Sequence, residues 1–111
     1  MNDKYEKQMK KGVLDMLVLK LLWSEAKYGY QIIQELREKS DDAFLLKDGT
    51  LYPVLYRLED DGLVAGSWSE AKGRQTPRKY YQITGEGRQA LEEIETVWNR
   101  IADGITKIME E

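Results

Sequence analysis

Four cations, Lys72, Arg74, Arg78 and Lys79, lie around Gly73 and Pro77 and face one acid, Glu70, for a local net charge of +3. Cations spaced along a flexible turn neutralise phosphates; they do no bond-making chemistry. Upstream, Thr50, Tyr52, Pro53, Tyr56 and Arg57 set a hydroxyl, two phenols and a guanidinium close together, with Lys47 just before them. Such groups can meet phosphates and base edges in a duplex groove. Nothing comparable supports catalysis. The chain has no histidine and no cysteine, which removes imidazole bases, thiolate nucleophiles, disulfides and the usual zinc, haem and iron–sulfur ligands. Carboxylates such as Glu92 and Glu93 sit on a polar helix face without a partner to tune them. The expectation is therefore no catalytic residue, no metal and no cofactor, in a protein that is not an enzyme.

These groups need a scaffold, and the length of 111 residues is that of one domain. Hydrophobic residues make up 41% and charged residues 33%, a soluble globular balance. No apolar run approaches the roughly 20 residues of a bilayer span. The start, MNDKYEKQMKKG, lacks the apolar stretch and cleavage site of a signal peptide. A cytoplasmic protein without a membrane partner is expected. The net charge of −3 speaks against nucleic acid on its face, but the charge is unevenly spread. Residues 84–111 hold seven acids and three bases, whereas the first 12 residues carry a net +2.

The elements follow from periodicity. Residues of about 5–24 read as one long helix, apolar nearly all round from Val13 to Trp23. Such a helix is either a central core element or is partly covered by a second chain, which would put Leu14, Leu17 and Leu21 at an interface. A second helix spans about 28–40, with Ile32, Ile33 and Leu36 inward, and Ser40-Asp41-Asp42 breaks it. A third begins at Asp48-Gly49-Thr50, takes Pro53 in its first turn and stops at Gly62. At about 100° per residue, Leu51, Val54, Leu55 and Leu58 share one side, and Pro53, Tyr56 and Arg57 lie opposite. Tyr52 sits on the flank, where its ring can pack on a neighbour. Arg57 has a competing use, an ion pair with Asp60 or Asp61.

The period then changes to 2 over Leu63–Ser69 and Arg78–Thr84, which predicts a hairpin. Tyr80 and Tyr81 must face opposite sides of it. Thr84 caps a last helix reaching about Met109, along which Leu91, Ile94, Trp98, Ile101, Ile105 and Ile108 recur at steps of 3 and 4. That is a heptad seam, and it predicts a homodimer. Trp98 reads either as an ordinary dimer-core aromatic or as the lining of a ligand pocket between subunits. Trp23 and Trp68 read as core and wing packing. The fold expected is mainly α with a small β-hairpin wing: a winged helix-turn-helix over 1–84 and a long C-terminal dimerisation helix over 85–111. In that layout the third helix enters the major groove, and the basic hairpin reaches phosphates or the minor groove beside it.

Several motifs carry a family resemblance. They are Tyr28-Gly29-Tyr30-Gln31-Ile32, Gly49-Thr50-Leu51-Tyr52-Pro53, Tyr56-Arg57-Leu58-Glu59 with Gly62-Leu63, Arg78-Lys79-Tyr80-Tyr81-Gln82-Ile83-Thr84, and Trp98. Together, in this order, they resemble the PadR family of winged-helix transcriptional regulators, in its short form with a single C-terminal dimerisation helix. The resemblance implies a homodimeric, sequence-specific regulator of transcription, a repressor on a pseudo-palindromic operator in double-stranded DNA. It also implies, for some short members, a small aromatic effector stacked on the tryptophan that here is Trp98. The expected DNA-contacting set is Lys47, Thr50, Tyr52, Pro53, Tyr56, Arg57, Lys72, Arg74, Arg78 and Lys79. A different class remains open beside it, a winged-helix module that grips an acidic protein with the same surface.

Overall fold

The computed structural model describes residues 3–70, 73 and 76–111. Lys72 and Arg74, two of the expected phosphate contacts, lie outside the described residues. The order is α1 (Asp3–Lys10), α2 (Leu14–Leu21), β1 (Lys27–Tyr28), α3 (Gly29–Lys39), α4 (Asp48–Asp60), β2 (Val64–Trp68), β3 (Lys79–Ile83) and α5 (Gly85–Met109). The strands form one antiparallel sheet in the order β1-β3-β2. This is the expected layout of three reading-head helices, a hairpin and a long last helix, with two differences near the N-terminus.

The first difference is that the single helix expected over 5–24 is two. The break falls at Lys11-Gly12-Val13, where the Val13 amide bonds back only three residues to the Lys10 carbonyl at 3.1 Å. Glycine costs about 1 kcal/mol relative to alanine inside a helix, and a tight turn here swings the apolar α2 into the core while α1 stays on the surface. The second is β1, which pairs Lys27 with Tyr81 and Tyr28 with Tyr80. Two residues are too few to show a period.

The core joins Val18, Leu19 and Leu22 to Ile32 and Leu36 of α3, Leu51, Leu55 and Leu58 of α4, and Val64, Tyr81, Ile83 and Leu91. Leu14 and Leu21 belong to it as well, and Leu17 packs against it. The expectation that a second chain covers Leu14 and Leu21 is thus corrected: α3, α4 and α5 of the same chain bury α2. Leu91 is corrected in the same way, being 1% exposed. Tyr81 is buried and Tyr80 half-buried, as their alternation required.

Local chemistry holds these layers in register. Lys27 is buried, and its ammonium donates to the Leu21 carbonyl at 2.7 Å and to Glu35 Oε1 at 2.9 Å. It closes the end of α2 and ties β1 to α3. Burial alone would raise the Glu35 carboxyl, but hydrogen bonds from Lys27 and Lys39 hold it below its usual range. Gly62 ends α4 at φ +75°, a conformation that glycine takes without strain. Thr84 then donates to the Gly62 carbonyl at 2.7 Å and accepts from the Gly87 amide at 3.0 Å, so one hydroxyl caps α5 and fixes it to the end of α4.

Candidate nucleic-acid interface

The candidate surface is built on α4. Leu51, Val54, Leu55 and Leu58 pin one side of the helix to the core, which leaves Thr50, Pro53, Tyr56 and Arg57 exposed on the other, with Lys47 exposed at the N-cap. Pro53 sits in the second turn of α4, not the first, because the helix begins at Asp48. Its ring still faces water. Tyr52 is half-buried on the flank: its hydroxyl packs directly on Gly29, where a Cβ would clash with it. Gly29 thus permits the close approach of the first turn of α3 to the Tyr52 side chain, which any larger residue would have to displace. Burial, with Asp48 nearby, pushes the Tyr52 phenol up. Its ring tilts against Tyr56 at 6.0 Å between centroids. Tyr56 itself is 51% exposed.

Two expected DNA contacts are engaged within the chain. Arg57 forms a two-pronged pair with Asp15 of α2, Nη1 to Oδ2 at 2.6 Å and Nη2 to Oδ1 at 2.7 Å. Asp15 therefore takes the place foreseen for Asp60 or Asp61. Hydrogen bonding to Asp15 raises the guanidinium pKa further. Lys79 bonds Glu59 Oε1 at 3.0 Å, and its ammonium lies 5.6 Å from the Tyr56 ring centroid and 5.1 Å from that of Tyr81. That bond raises the Lys79 pKa. Lys79 thus ties the loop end of the hairpin ladder to α4, with its ammonium already paired to Glu59.

Arg78 lies exposed, its guanidinium 4.5 Å from the centroid of Tyr28. Tyr28 stacks on Tyr30 at 6.5 Å and meets Tyr80 edge-on at 5.4 Å. An aromatic row therefore runs from the start of α3 to the wing. Trp68, expected as wing packing, is instead 68% exposed at the far end of β2, opposite Lys79 in the register. It gives the wing an exposed indole where the sequence predicts a packed one. Trp23 does pack against the core, with Arg88 4.4 Å above its ring.

Sequence reasoning also left Lys7, Lys10 and Lys11 out of the contact set. The fold brings all three beside Lys47 and Thr50, where they line a cleft of about 780 Å³ between α1 and the segment leading into α4. The basic excess of the first 12 residues was the available signal.

Along α5, Ile94 is half-buried against the core, while Val97, Trp98, Ile101, Ile105 and Ile108 are exposed. Trp98 shares an open groove of about 350 Å³ with Gly12, Met16, Glu93, Ile94, Val97 and Ile101. Among the described residues, no helix is long and apolar enough to cross a membrane.

Residues 18–93 match the family described as the transcriptional regulator PadR-like family. Among solved structures, a transcriptional regulator from Clostridium thermocellum is similar at 31% identity and a TM-score of 0.84, over 90% of this chain and 96% of that one. A padR family transcriptional regulator from Eggerthella lenta is similar at 37% identity and a TM-score of 0.83, over 97% and 91%. The transcriptional regulator Rv3488 of Mycobacterium tuberculosis is 41% identical over 66 residues, which are 60% of this chain and 57% of that protein.

Proposed function

From the premise that this chain belongs to the PadR-like family of transcriptional regulators, we propose that it is a homodimer that binds double-stranded DNA sequence-specifically and acts as a cytoplasmic repressor. One observation carries the reading. α4 is clamped to the core along one side and presents Lys47, Thr50, Pro53 and Tyr56 along the other, while the distal α5 leaves an apolar seam uncovered. The reading portion is 1–84, and α5 (85–111) joins the copies, anchored to its own reading head by Leu91.

In this mechanism α4 enters the major groove. Thr50 and Tyr56 face base edges, and Lys47 and Arg78 meet phosphates, with Lys72 and Arg74 further along the wing. Arg57 and Lys79 act differently: paired with Asp15 and Glu59, they hold the angle of α4 against α2 and the wing. Two-fold symmetry sets the reading helices roughly 34 Å apart, or a multiple of that, on a pseudo-palindromic site. A flat aromatic effector stacked on Trp98 in the groove shared with Gly12 and Met16 releases the operator if it favours a dimer with misplaced reading heads.

The test is binding-site selection on random duplexes, followed by fluorescence anisotropy against salt. A two-fold related consensus, and log affinity falling linearly with log salt, are expected. A chain that selects no sequence and binds random and selected duplexes alike overturns the reading. Titrating planar aromatics against wild type and Trp98→Ala, with tryptophan fluorescence as readout, tests the effector. Quenching unchanged in the variant removes it.

A further inference from the structure

Apart from Lys47 and Thr50 at its edge, the cleft between α1 and the entry to α4 has no part in the function proposed above, and its chemistry is specific. Four cations line it, Lys7, Lys10, Lys11 and Lys47, against two acids, Glu6 and Asp42, so it is positive in a chain whose net charge is −3. Lys10 is partly spent, bonding Glu6 at 3.3 Å and lying 5.4 Å from the Phe44 ring centroid. Lys7 and Lys11 are spaced i,i+4, which puts them on one side of α1 and its exit, and both are exposed together with Lys47. Among the described residues these three make no ion pair.

The cleft is continuous with the reading face, because Lys47 and Thr50 belong to both. A strand of duplex backbone leaving the groove that α4 occupies passes this corner. Lysines spaced along one side fit its repeating anionic oxygens better than a single small anion, which one or two cations would satisfy.

We propose that this cleft is a second phosphate-binding site for duplex DNA, in which Lys7, Lys11 and Lys47 hold the backbone that flanks the segment read by α4. It rests on the regulator reading above and assigns α1 a part in binding. The contact is to phosphate, so it adds affinity without adding sequence preference.

The experiment uses the full chain carrying Lys7→Ala with Lys11→Ala. Both positions are exposed, and circular dichroism checks that the fold persists. Anisotropy is measured from 50 to 200 mM salt on the selected operator and on a random duplex. With two lysines lost in each of two protomers, the log–log salt slope is expected to flatten by roughly 2 to 4 units. Affinity for both duplexes should fall by the same factor, and the Lys7→Arg, Lys11→Arg pair should restore the slope. Lys107→Ala, which removes a cation paired with Asp103 on α5, should leave it unchanged. An unchanged slope in the alanine pair overturns the proposal, as does an equal change in Lys107→Ala, which would reduce the effect to net charge. Poly-glutamate serves as the rival probe: if the alanine pair loses affinity for it but not for duplex, the cleft belongs to an acidic protein partner. Failure of the wild type to bind duplex would instead bring down the regulator reading, and the cleft proposal with it.

Discussion

Helices α4 and α5 carry apolar stripes of similar chemistry, and the chain treats them in opposite ways. On α4, Leu51, Leu55 and Leu58 are fully enclosed by α2, α3 and the sheet. On α5 only Leu91 is enclosed, Ile94 is half-covered, and the seam from Trp98 through Ile101 and Ile105 to Ile108 stays open, with Ile105 55% exposed. A covered stripe turns the opposite face into a rigid display, and so α4 can aim Tyr56. An uncovered stripe of this length is unusual on a chain that stays alone, and the proposed function gives it to a second copy. The period of a stripe says that something covers it; only the fold says whether that cover is internal.

The contrast can be broken by removing one side chain from each stripe. Leu55→Ala should cost on the order of 2–5 kcal/mol of folding stability, read by urea unfolding, because a cavity opens in a closed core. A loss below about 1 kcal/mol would mean that α4 is not clamped as described. Ile105→Asp should leave the fold and its melting transition in place but weaken self-association by about 3 kcal/mol, a factor of roughly a hundred. Light scattering would then report the 13.0 kDa chain mass where wild type reports twice that value. A wild type that is monomeric at micromolar concentration would end the contrast.

Smaller effects sharpen it. Tyr56→Ala should lower operator affinity by about 1–3 kcal/mol more than random-duplex affinity if its hydroxyl reads a base edge; equal losses would confine Tyr56 to a phosphate or packing role. The smallest change concerns acid. Because the Glu35 carboxyl is held below its ordinary 4.5 by Lys27 and Lys39 against the pull of burial, its contribution is full above that value and fades as pH falls through its lower folded value. Glu35→Gln should therefore destabilise the fold at neutral pH by about 1 kcal/mol and make the acid limb of the stability profile shallower. Parallel profiles for the two proteins would show that the Lys27–Glu35 link contributes nothing.

Much of this was legible in the residues. Gly62 and Thr84 marked where α4 ends and α5 begins because left-handed turns and caps are written in local chemistry, whereas the cap expected from Asp48 or Thr50 does not form and Lys47 holds the N-cap position of α4 without a side-chain bond. The stripes on α4 and α5 were legible because a period of 3.6 repeats over several turns. What escaped depends on distant neighbours. Asp15 meets Arg57 across 42 residues, and Glu59 meets Lys79 across 20. A cation's nearest sequence neighbours do not reveal such a partner. The lysines of α1 showed as a charge excess, but their place beside Lys47 depends on the turn between α1 and α2 at Gly12. Trp68 was misjudged because alternation on a short edge strand does not say which face has a neighbour.

On the proposed dimeric reading, the open seam on α5 also ties occupancy of the operator to dose. A surface that only a second copy covers makes the binding-competent species a product of two concentrations. Where protomers outnumber dimers, a twofold rise in synthesis raises the dimer about fourfold by mass action. The response of the regulated promoter to the amount of regulator is then steeper than linear with no further device, and Ile101, Ile105 and Ile108 set the concentration at which that steepness begins.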